Sequence, residues 1–311
     1  MRAAAILGPG NLSRYVEKFR RVGSAEWTVG PPASSNEADA VVIFGGDGTV
    51  HRHLAHLVGL GIPVLVVPCG SGNDFARALK LRSVRDSLAA WRQFAEGGKN
   101  VRAIDLGLIW KTPPTETITG RASAQDSKSK ASDKSIQPTH EHPGHYFCCV
   151  AGAGLDAEIN RRANALPKWI RSHGGYPLCA PREFLRFAPF PMKVSLRDED
   201  RSPAKPTILA AFANAPTYGG GMKIAPNAQL DDGKLDVCIV RAMTTFKLFC
   251  LFPTVYFGRH LSFQEVEYSQ AERAGLEAES PLDVYADGEY VCQTPVEFSV
   301  ARNALKVIVP G

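Results

Sequence analysis

The chain has 311 residues, 44% of them hydrophobic and 22% charged, with a formal net charge of +5. That length accommodates one large domain or two ordinary ones, and the balance is that of a globular protein with a substantial core. The charge is too slight to argue for nucleic acid, and neither zinc-finger spacing nor a basic–aromatic RNA-binding pattern is present, although a mild positive excess suits an anionic ligand or a membrane surface.

The seven cysteines are odd in number, lie mostly in apolar runs and form no C-x-x-C pair. They read as buried, reduced thiols of a cytoplasmic protein. The N-terminal apolar stretch is too short for a signal sequence, and no apolar run reaches the roughly 18 residues a spanning helix needs.

In chain order, AAAIL reads as a strand and NLSRYVEKFRRV as a helix, with Asn11 or Ser13 available as its cap. VVIF is a strand, and TVHRHLAHLVGLG a helix closed by glycine. VLVVP is a strand, NDFARALKL a helix, and SVRDSLAAWRQFAEGG a further helix with Ser83 as candidate cap. Short apolar strands alternating with helices argue for a parallel sheet covered on both faces.

The pattern then changes. VRAIDLGLIW and HYFCCVAGAGLDAEI are strand-like, and between them residues about 111–144 are rich in Ser, Thr, Lys, Pro and Asp. That stretch reads as a disordered insertion in a hairpin. Seven further β-type runs follow, interrupted by helical stretches near PREFLRF and TTFKLFCLFPTVYF, which predicts a largely antiparallel second domain. The expected division is 1–106 for an α/β domain and 107–299 for a β-rich, sandwich-like one. A C-terminal strand near 300–311 is a candidate to return to the first.

Two strand–glycine-turn–helix units stand in tandem, VVIF-GGDGT-VHRHL and VLVVPCG-SGN-DFARALKL. Glycines let a backbone approach a ligand, and a helix N-terminus favours an anion. An ordinary tight connection explains either turn alone. Two side by side, each with an aspartate (Asp47, Asp74), read as opposite walls of a phosphate site at the carboxyl ends of the strands. The glycine spacing is not the dinucleotide G-x-G-x-x-G, which argues against a dehydrogenase.

Gly45-Gly46-Asp47-Gly48-Thr49 followed by Pro68-Cys69-Gly70-Ser71-Gly72-Asn73-Asp74-Phe75-Ala76 resembles the diacylglycerol kinase catalytic-domain family, which includes bacterial soluble lipid kinases and sphingosine and ceramide kinases, with NAD kinases as distant relatives. Ile104-Asp105-Leu106-Gly107, the glycine run 151–154, Tyr218 to Met222, Ile224-Ala225-Pro226, Asp231 to Asp236 and Asp287-Gly288-Glu289 follow in the family's order. The resemblance implies an N-terminal ATP-binding domain, a β-rich lipid-binding domain with the active site in the cleft between them, and transfer of the γ-phosphoryl group of ATP to a lipid hydroxyl. Diacylglycerol is the expected acceptor. Sphingoid, ceramide and phosphatidylglycerol-type lipids are alternatives, NAD a distant one, and a catalytically weak nucleotide- or lipid-binding regulator is a further alternative.

Carried over position by position, the resemblance assigns ATP contacts to Gly45, Gly46, Gly48, Thr49 and to Gly70, Ser71, Gly72, Asn73, Asp74, Phe75, Ala76 and Arg77. It assigns an aspartate network around Mg²⁺ to Asp47, Asp74 and Asp105. Carboxylates in a phosphate site make sense chiefly as ligands or water anchors for such a cation, because phosphoryl transfer needs charge neutralisation more than covalent help. Glu289 matches the family's general base, although Asp-Gly between two β-runs is equally a hairpin turn. Gln229, Asp232 and Lys234 match a loop that holds a second, structural Mg²⁺, the first and last through main-chain oxygens, although a plain Asp-Asp-Gly turn also fits.

The chain departs from the family at His51-Arg52, where an Asn-Glu pair is usual. The change removes an acidic side chain and suggests a cation facing the phosphates. The N-terminal loop Leu7 to Asn11 also departs, which bears on the adenine or ribose site. His51, His53 and His56 do not have the spacing of a metal cluster. The aromatic stretch Phe246 to Phe257 reads either as a helix packed on the sheet or as a lipid-facing wall. The expected partners are a lipid substrate and a peripheral membrane surface, with no nucleic acid and with a homodimer left open.

Overall fold

The computed structural model describes residues 1–111, 144–165, 182–196 and 203–311. The insertion expected at about 111–144 lies almost wholly outside the described residues. The chain opens with strands β1 (Arg2–Leu7), β2 (Glu26–Val29), β3 (Ala40–Gly45) and β4 (Val64–Pro68), and helices α1 (Ser13–Arg20), α2 (Asp47–Leu60), α3 (Asp74–Ala78) and α4 (Val84–Ala95). The strands are parallel in the order β2-β1-β3-β4. β3 and β4, neighbours in that order, are the apolar runs that end in the glycine turns. β3 is buried along its whole length, as a strand covered on both faces must be.

Helix ends follow local chemistry. α2 stops at Gly61, which adopts φ 62° without the clash a Cβ would cause. α4 opens on Ser83, whose side chain accepts from the Asp86 N–H at 3.2 Å. Two local expectations need correction. Neither Asn11 nor Ser13 caps α1: Leu12 holds the cap position, without a side-chain bond. The helix expected over NDFARALKL is only Asp74–Ala78, and Lys80 already has φ 62°.

The remainder is antiparallel: β5 (Val101–Lys111), β6 (His145–Phe147), β7 (Val150–Gly154), β8 (Phe190–Ser195), β9 (Lys205–Ala213), β10 (Leu235–Arg241), β11 (Val266–Ala271), β12 (Arg273–Ala278), β13 (Asp283–Ala286), β14 (Glu289–Gln293) and β15 (Val296–Ile308), with α5 (Leu155–Ala165) and α6 (Thr245–Val255). The run HYFCCVAGAGLDAEI is not one strand-like unit. It divides into β6 and β7 and then turns into α5 at Leu155.

β15 joins the two halves. It pairs antiparallel with β5 on both sides of a register shift between Ala301 and Leu305, and parallel with β4 through Val307↔Val64. Its C-terminal residues Leu305, Val307 and Ile308 lie in the core beneath the parallel strands. Val296 and Phe298 lie in a second core, where the Phe298 ring stacks on Phe212 at 3.8 Å. All described strands therefore belong to one sheet that runs through both halves.

Candidate functional site

The two glycine turns touch backbone to backbone. A Cβ built on Gly46 would lie 2.8 Å from the Gly70 Cα, and one on Gly70 would lie 2.5 Å from the Gly46 Cα. Only glycine allows both chains so near one another. The second turn is held by Asn73, whose Oδ1 accepts from the Gly70 N–H at 2.8 Å while its Nδ2 donates to the Gly70 carbonyl at 2.7 Å. Asn73 itself has φ 54°, a conformation that Asn tolerates better than most residues.

Asp47, in the first turn of α2, reaches across to the second. Its two carboxylate oxygens accept from the Asp74 and Phe75 N–H groups, each at 3.0 Å. The N–H groups expected to cradle phosphate at the start of α3 are thus capped from within the protein, since a carboxylate satisfies unpaired helix donors as an anion would. Burial and the neighbouring charge of Asp74 push the Asp47 carboxyl up to about 6, against the pull of those two N–H groups. Asp74 is buried, takes the Gly220 N–H at 2.7 Å on one oxygen and pairs with Arg77 at 2.5 Å on the other. Arg77 also donates to the Gly72 carbonyl at 3.0 Å, and its side chain stays 41% exposed, a cation at the mouth of the site.

The place that Gly72 leaves open is informative. A Cβ there would meet Asp47 Oδ2 at 2.9 Å and Asp74 Oδ2 at 3.4 Å, so two carboxylate oxygens converge on a space no side chain fills. Two neighbouring carboxylates, with the charge of Asp74 helping to raise the Asp47 carboxyl, fit a divalent cation.

Glu289, at the start of β14, comes to the same place from the other half of the chain. Its Oε1 would be 3.1 Å from a Cβ on Gly48. Asp287, two residues earlier, has φ 51°, followed by Gly288 at φ 86°. Its carboxylate accepts from the N–H groups of Cys148 (2.9 Å), Cys149 (2.8 Å) and Val150 (3.3 Å) and lies 3.2 Å from His51 Nδ1. Burial would push the Asp287 carboxyl up, but His51 and the backbone N–H groups hold it below its ordinary value. Burial likewise works against the His51 imidazolium, but the hydrogen bond and charge of Asp287 and the charge of Glu289 raise its pKa.

Gly46, Asp47, Gly48, Gly70, Gly72, Asn73, Asp74, Arg77 and Glu289 thus lie close to one another, with Gly45 buried at the end of β3 and Ser71 between the two turn glycines. Other expected site residues sit elsewhere. Thr49 is only 5% exposed, and its side chain fills the space under Gly45 and Gly8 instead of facing a phosphate. Phe75 and Ala76 are buried in the core. His51 faces Asp287, so it is not a cation directed at the phosphates. Asp105, buried, accepts from the Gly233 N–H at 2.8 Å and the Asn303 N–H at 2.7 Å, so its carboxylate organises the 229–234 loop and β15; no hydrogen bond among the described residues links it to Asp47 or Asp74. In that loop Asp232 accepts from the Lys234 N–H at 3.0 Å and lies 3.5 Å from Gln270 Nε2, with Gln229 exposed beside it. The roles of His51 and of the 148–150 amides were invisible in the sequence, because residues 139 positions apart meet only after folding.

A narrow apolar pocket lies beyond the Tyr218–Met222 turn that carries Gly220. Its free interior is only about 40 Å³, and α6 forms one wall through Leu248, Leu251, Phe252 and Val255. His260 lines it too, with Nε2 on the Ile224 carbonyl at 3.0 Å and its buried Nδ1 without a partner among the described residues. The opposite side of α6 is also apolar: Phe246, Phe249, Cys250 and Pro253 are exposed at helical spacing, and Phe257 follows just past the helix end. Phe246 is 78% and Phe257 73% exposed. Arg182, Arg186, Lys223 and Arg259 form no ion pair among the described residues. No helix among the described residues is long and apolar enough to cross a membrane.

Comparison with known proteins agrees with this fold. Residues 19–109 match the diacylglycerol kinase catalytic domain, and residues 149–309 match the YegS C-terminal NAD kinase beta sandwich-like domain. A diacylglycerol kinase of Mycobacterium tuberculosis (strain H37Rv) is 34% identical over 278 residues, covering 89% of this chain and 79% of that protein. A diacylglycerol kinase of Bacillus subtilis (strain 168) is 23% identical over 96% of this chain and 91% of its own length. A diacylglycerol kinase structure from Bacillus anthracis has the same fold, with a TM-score of 0.68 at 19% identity over 99% of this chain and 97% of that one. An Archaeoglobus fulgidus NAD kinase in complex with ATP is more distant, at a TM-score of 0.52 and 12% identity over 100% of this chain and 94% of that one. With both domain matches in order and the mycobacterial relative aligned over most of its length, the chain belongs to the diacylglycerol kinase family of lipid kinases.

Proposed function

We propose that the protein transfers the γ-phosphoryl group of ATP to the hydroxyl of a membrane lipid, with diacylglycerol as the acceptor and phosphatidic acid as the product. The observation that carries this reading is the convergence of Glu289 with Asp47 and the two glycine turns from opposite halves of the chain. In this reading the Gly45–Gly48 and Gly70–Gly72 backbones and Arg77 position the phosphates. Asp47 and Asp74 would hold Mg²⁺, which when bound neutralises charge on the phosphate oxygens. Glu289 takes the proton from the lipid hydroxyl as its oxygen bonds to the γ-phosphorus, and the bond to the bridging oxygen of ADP breaks.

The pocket beside Gly220 has the apolar lining an acyl chain needs and would have to widen to admit one, and the apolar outer side of α6, with Lys223 and Arg259 near its C-terminal end, suits an anionic membrane surface. The 229–234 loop, with Asp232 and the main chain of Gln229 and Lys234, remains a candidate for a second Mg²⁺. The test is transfer from radiolabelled ATP to a panel of lipids and to NAD. Diacylglycerol should be labelled, and Glu289→Gln should lower turnover at least a hundredfold, on the order of general-base catalysis, while ATP binding stays within about twofold. Label in NAD alone would overturn the reading, and loss of ATP binding in Glu289→Gln would turn Glu289 into a folding residue.

A further inference from the structure

We infer that His51 is a positioning residue: by holding Asp287 against α2 it fixes Glu289 beside Gly48, an inference that rests on the lipid-kinase reading above. His51 lies one turn beyond Asp47 on α2, so both project from neighbouring positions of one helix. Its Nδ1 meets Asp287 Oδ2 at 3.2 Å, with 16% of the His51 side chain and none of the Asp287 side chain exposed.

The other donors to that carboxylate are the N–H groups of Cys148, Cys149 and Val150 and the Cys148 thiol at 3.2 Å, all from the β6–β7 connection. The His51 imidazole ties the β13–β14 turn to the helix carrying Asp47 and Gly48. The turn has little freedom of its own: the Asp287 N–H donates to the Val150 carbonyl at 3.0 Å, and Asp287 and Gly288 both have positive φ. Glu289 follows directly and ends with Oε1 next to Gly48. Where the proposed base stands relative to the phosphates therefore depends in part on this imidazole–carboxylate contact between the two halves of the chain. Misplacement of a reacting group by about 1 Å is enough to cost up to roughly a hundredfold in rate.

Without His51, Asp287 keeps its three backbone donors, so the fold should survive the substitution. The groups that raise the charge of His51 are Asp287 and Glu289; the other titratable groups on the elements around it are Asp47 and Arg52 of α2, Cys148 and Cys149 beside Asp287, and His145 and Tyr146 of β6, which packs on α2. The Cys148 thiol, pushed up to about 12 by burial, stays outside the working range.

The experiment compares full-length wild type, His51→Asn and His51→Leu in ATP-to-diacylglycerol transfer across pH. His51→Leu should lose about tenfold or more in kcat, with the KM for ATP within about twofold and the melting temperature near wild type. His51→Asn, which keeps a neutral donor, should recover part of the rate and lack the alkaline fall in kcat that wild type shows as the imidazolium is lost. Wild-type kcat in His51→Leu, or an unchanged alkaline limb in His51→Asn, overturns the inference. A second arm needs no turnover: the His51 ring is titrated by NMR in wild type and in Asp287→Asn. A raised pKa that returns to the ordinary range in Asp287→Asn supports the contact, and an ordinary one in wild type overturns it. If wild type phosphorylates no lipid at all, the lipid-kinase reading has failed, and this second arm alone judges the pairing.

Discussion

Asp47 shows how far a single residue's role follows from its neighbours. The sequence places a carboxylate in a glycine turn and, through the family resemblance, beside Mg²⁺. It does not reveal that this carboxylate also caps α3 through the Asp74 and Phe75 N–H groups. The contact links residues 27 and 28 positions apart, beyond the reach of any local pattern. A pH effect follows. The folded protein holds the Asp47 proton more tightly than the unfolded chain, so as pH rises from 3.8 to about 6 this group's contribution to stability falls, and it then levels off. Mg²⁺ bound at Asp47 and Asp74 needs the ionised forms. Added Mg²⁺ should therefore raise the melting temperature more at about pH 7 than at about pH 5, and Asp47→Asn should remove the difference. An equal gain at both values in wild type would place the cation elsewhere. Thr49 is the opposite lesson: the turn motif makes it look like a phosphate ligand, but the missing side chains of Gly45 and Gly8 leave a hole that it fills.

Elements were more legible than residues. Runs such as VVIF and VLVVP, bounded by glycine and proline, identify β3 and β4, and the Ser83 cap and the Gly61 stop follow from the chemistry of orphan helix ends. The short α3 was not legible, because Leu79 and Leu81 continue an apolar pattern while the backbone has already turned at Lys80. α6 resolves an ambiguity instead of an error. Its aromatic stretch reads either as packing or as a lipid-facing surface, and the helix has a packed side, with Leu248, Leu251 and Val255 buried, and an exposed apolar one, with Phe246 and Phe249 outside. If that outer side meets a membrane, Phe246→Asp combined with Phe257→Asp should abolish co-sedimentation with vesicles containing anionic lipid and leave the melting temperature unchanged. Binding at the wild-type level would refute it.

At the scale of the whole molecule, the alternation of strand and helix followed by strand-rich sequence was enough to give the α/β class and the β-rich second half. The closing strand was harder to read, because its two ends answer to different cores. Val296 and Phe298 pack with Phe212, while Leu305, Val307 and Ile308 pack beneath β3 and β4. The change of allegiance falls in the irregular step between Ala301 and Leu305, where the Asn303 N–H reaches Asp105. This makes the parallel half dependent on the last residues of the chain. Deleting residues 303–311 would uncover β4 and strip Val101 to Ile104 of their strand partners. The shortened chain should lose cooperative thermal unfolding and near-ultraviolet dichroism. A cooperative transition near the wild-type temperature would show that the first strands hold together alone.

The pairing of β5 with β6 has a further consequence. Ile109 faces His145 across an antiparallel ladder, so the chain leaves the sheet at Lys111 and re-enters beside the point of departure. Whatever lies between these ends is tethered at a single doorway, and the entropy of closing such a loop grows only logarithmically with its length. The same doorway is therefore a port for engineering. A two-residue turn, or a fluorescent domain whose own termini lie together, could replace residues 112–143, and turnover should persist, because no residue of the proposed phosphate or acceptor sites belongs to that segment.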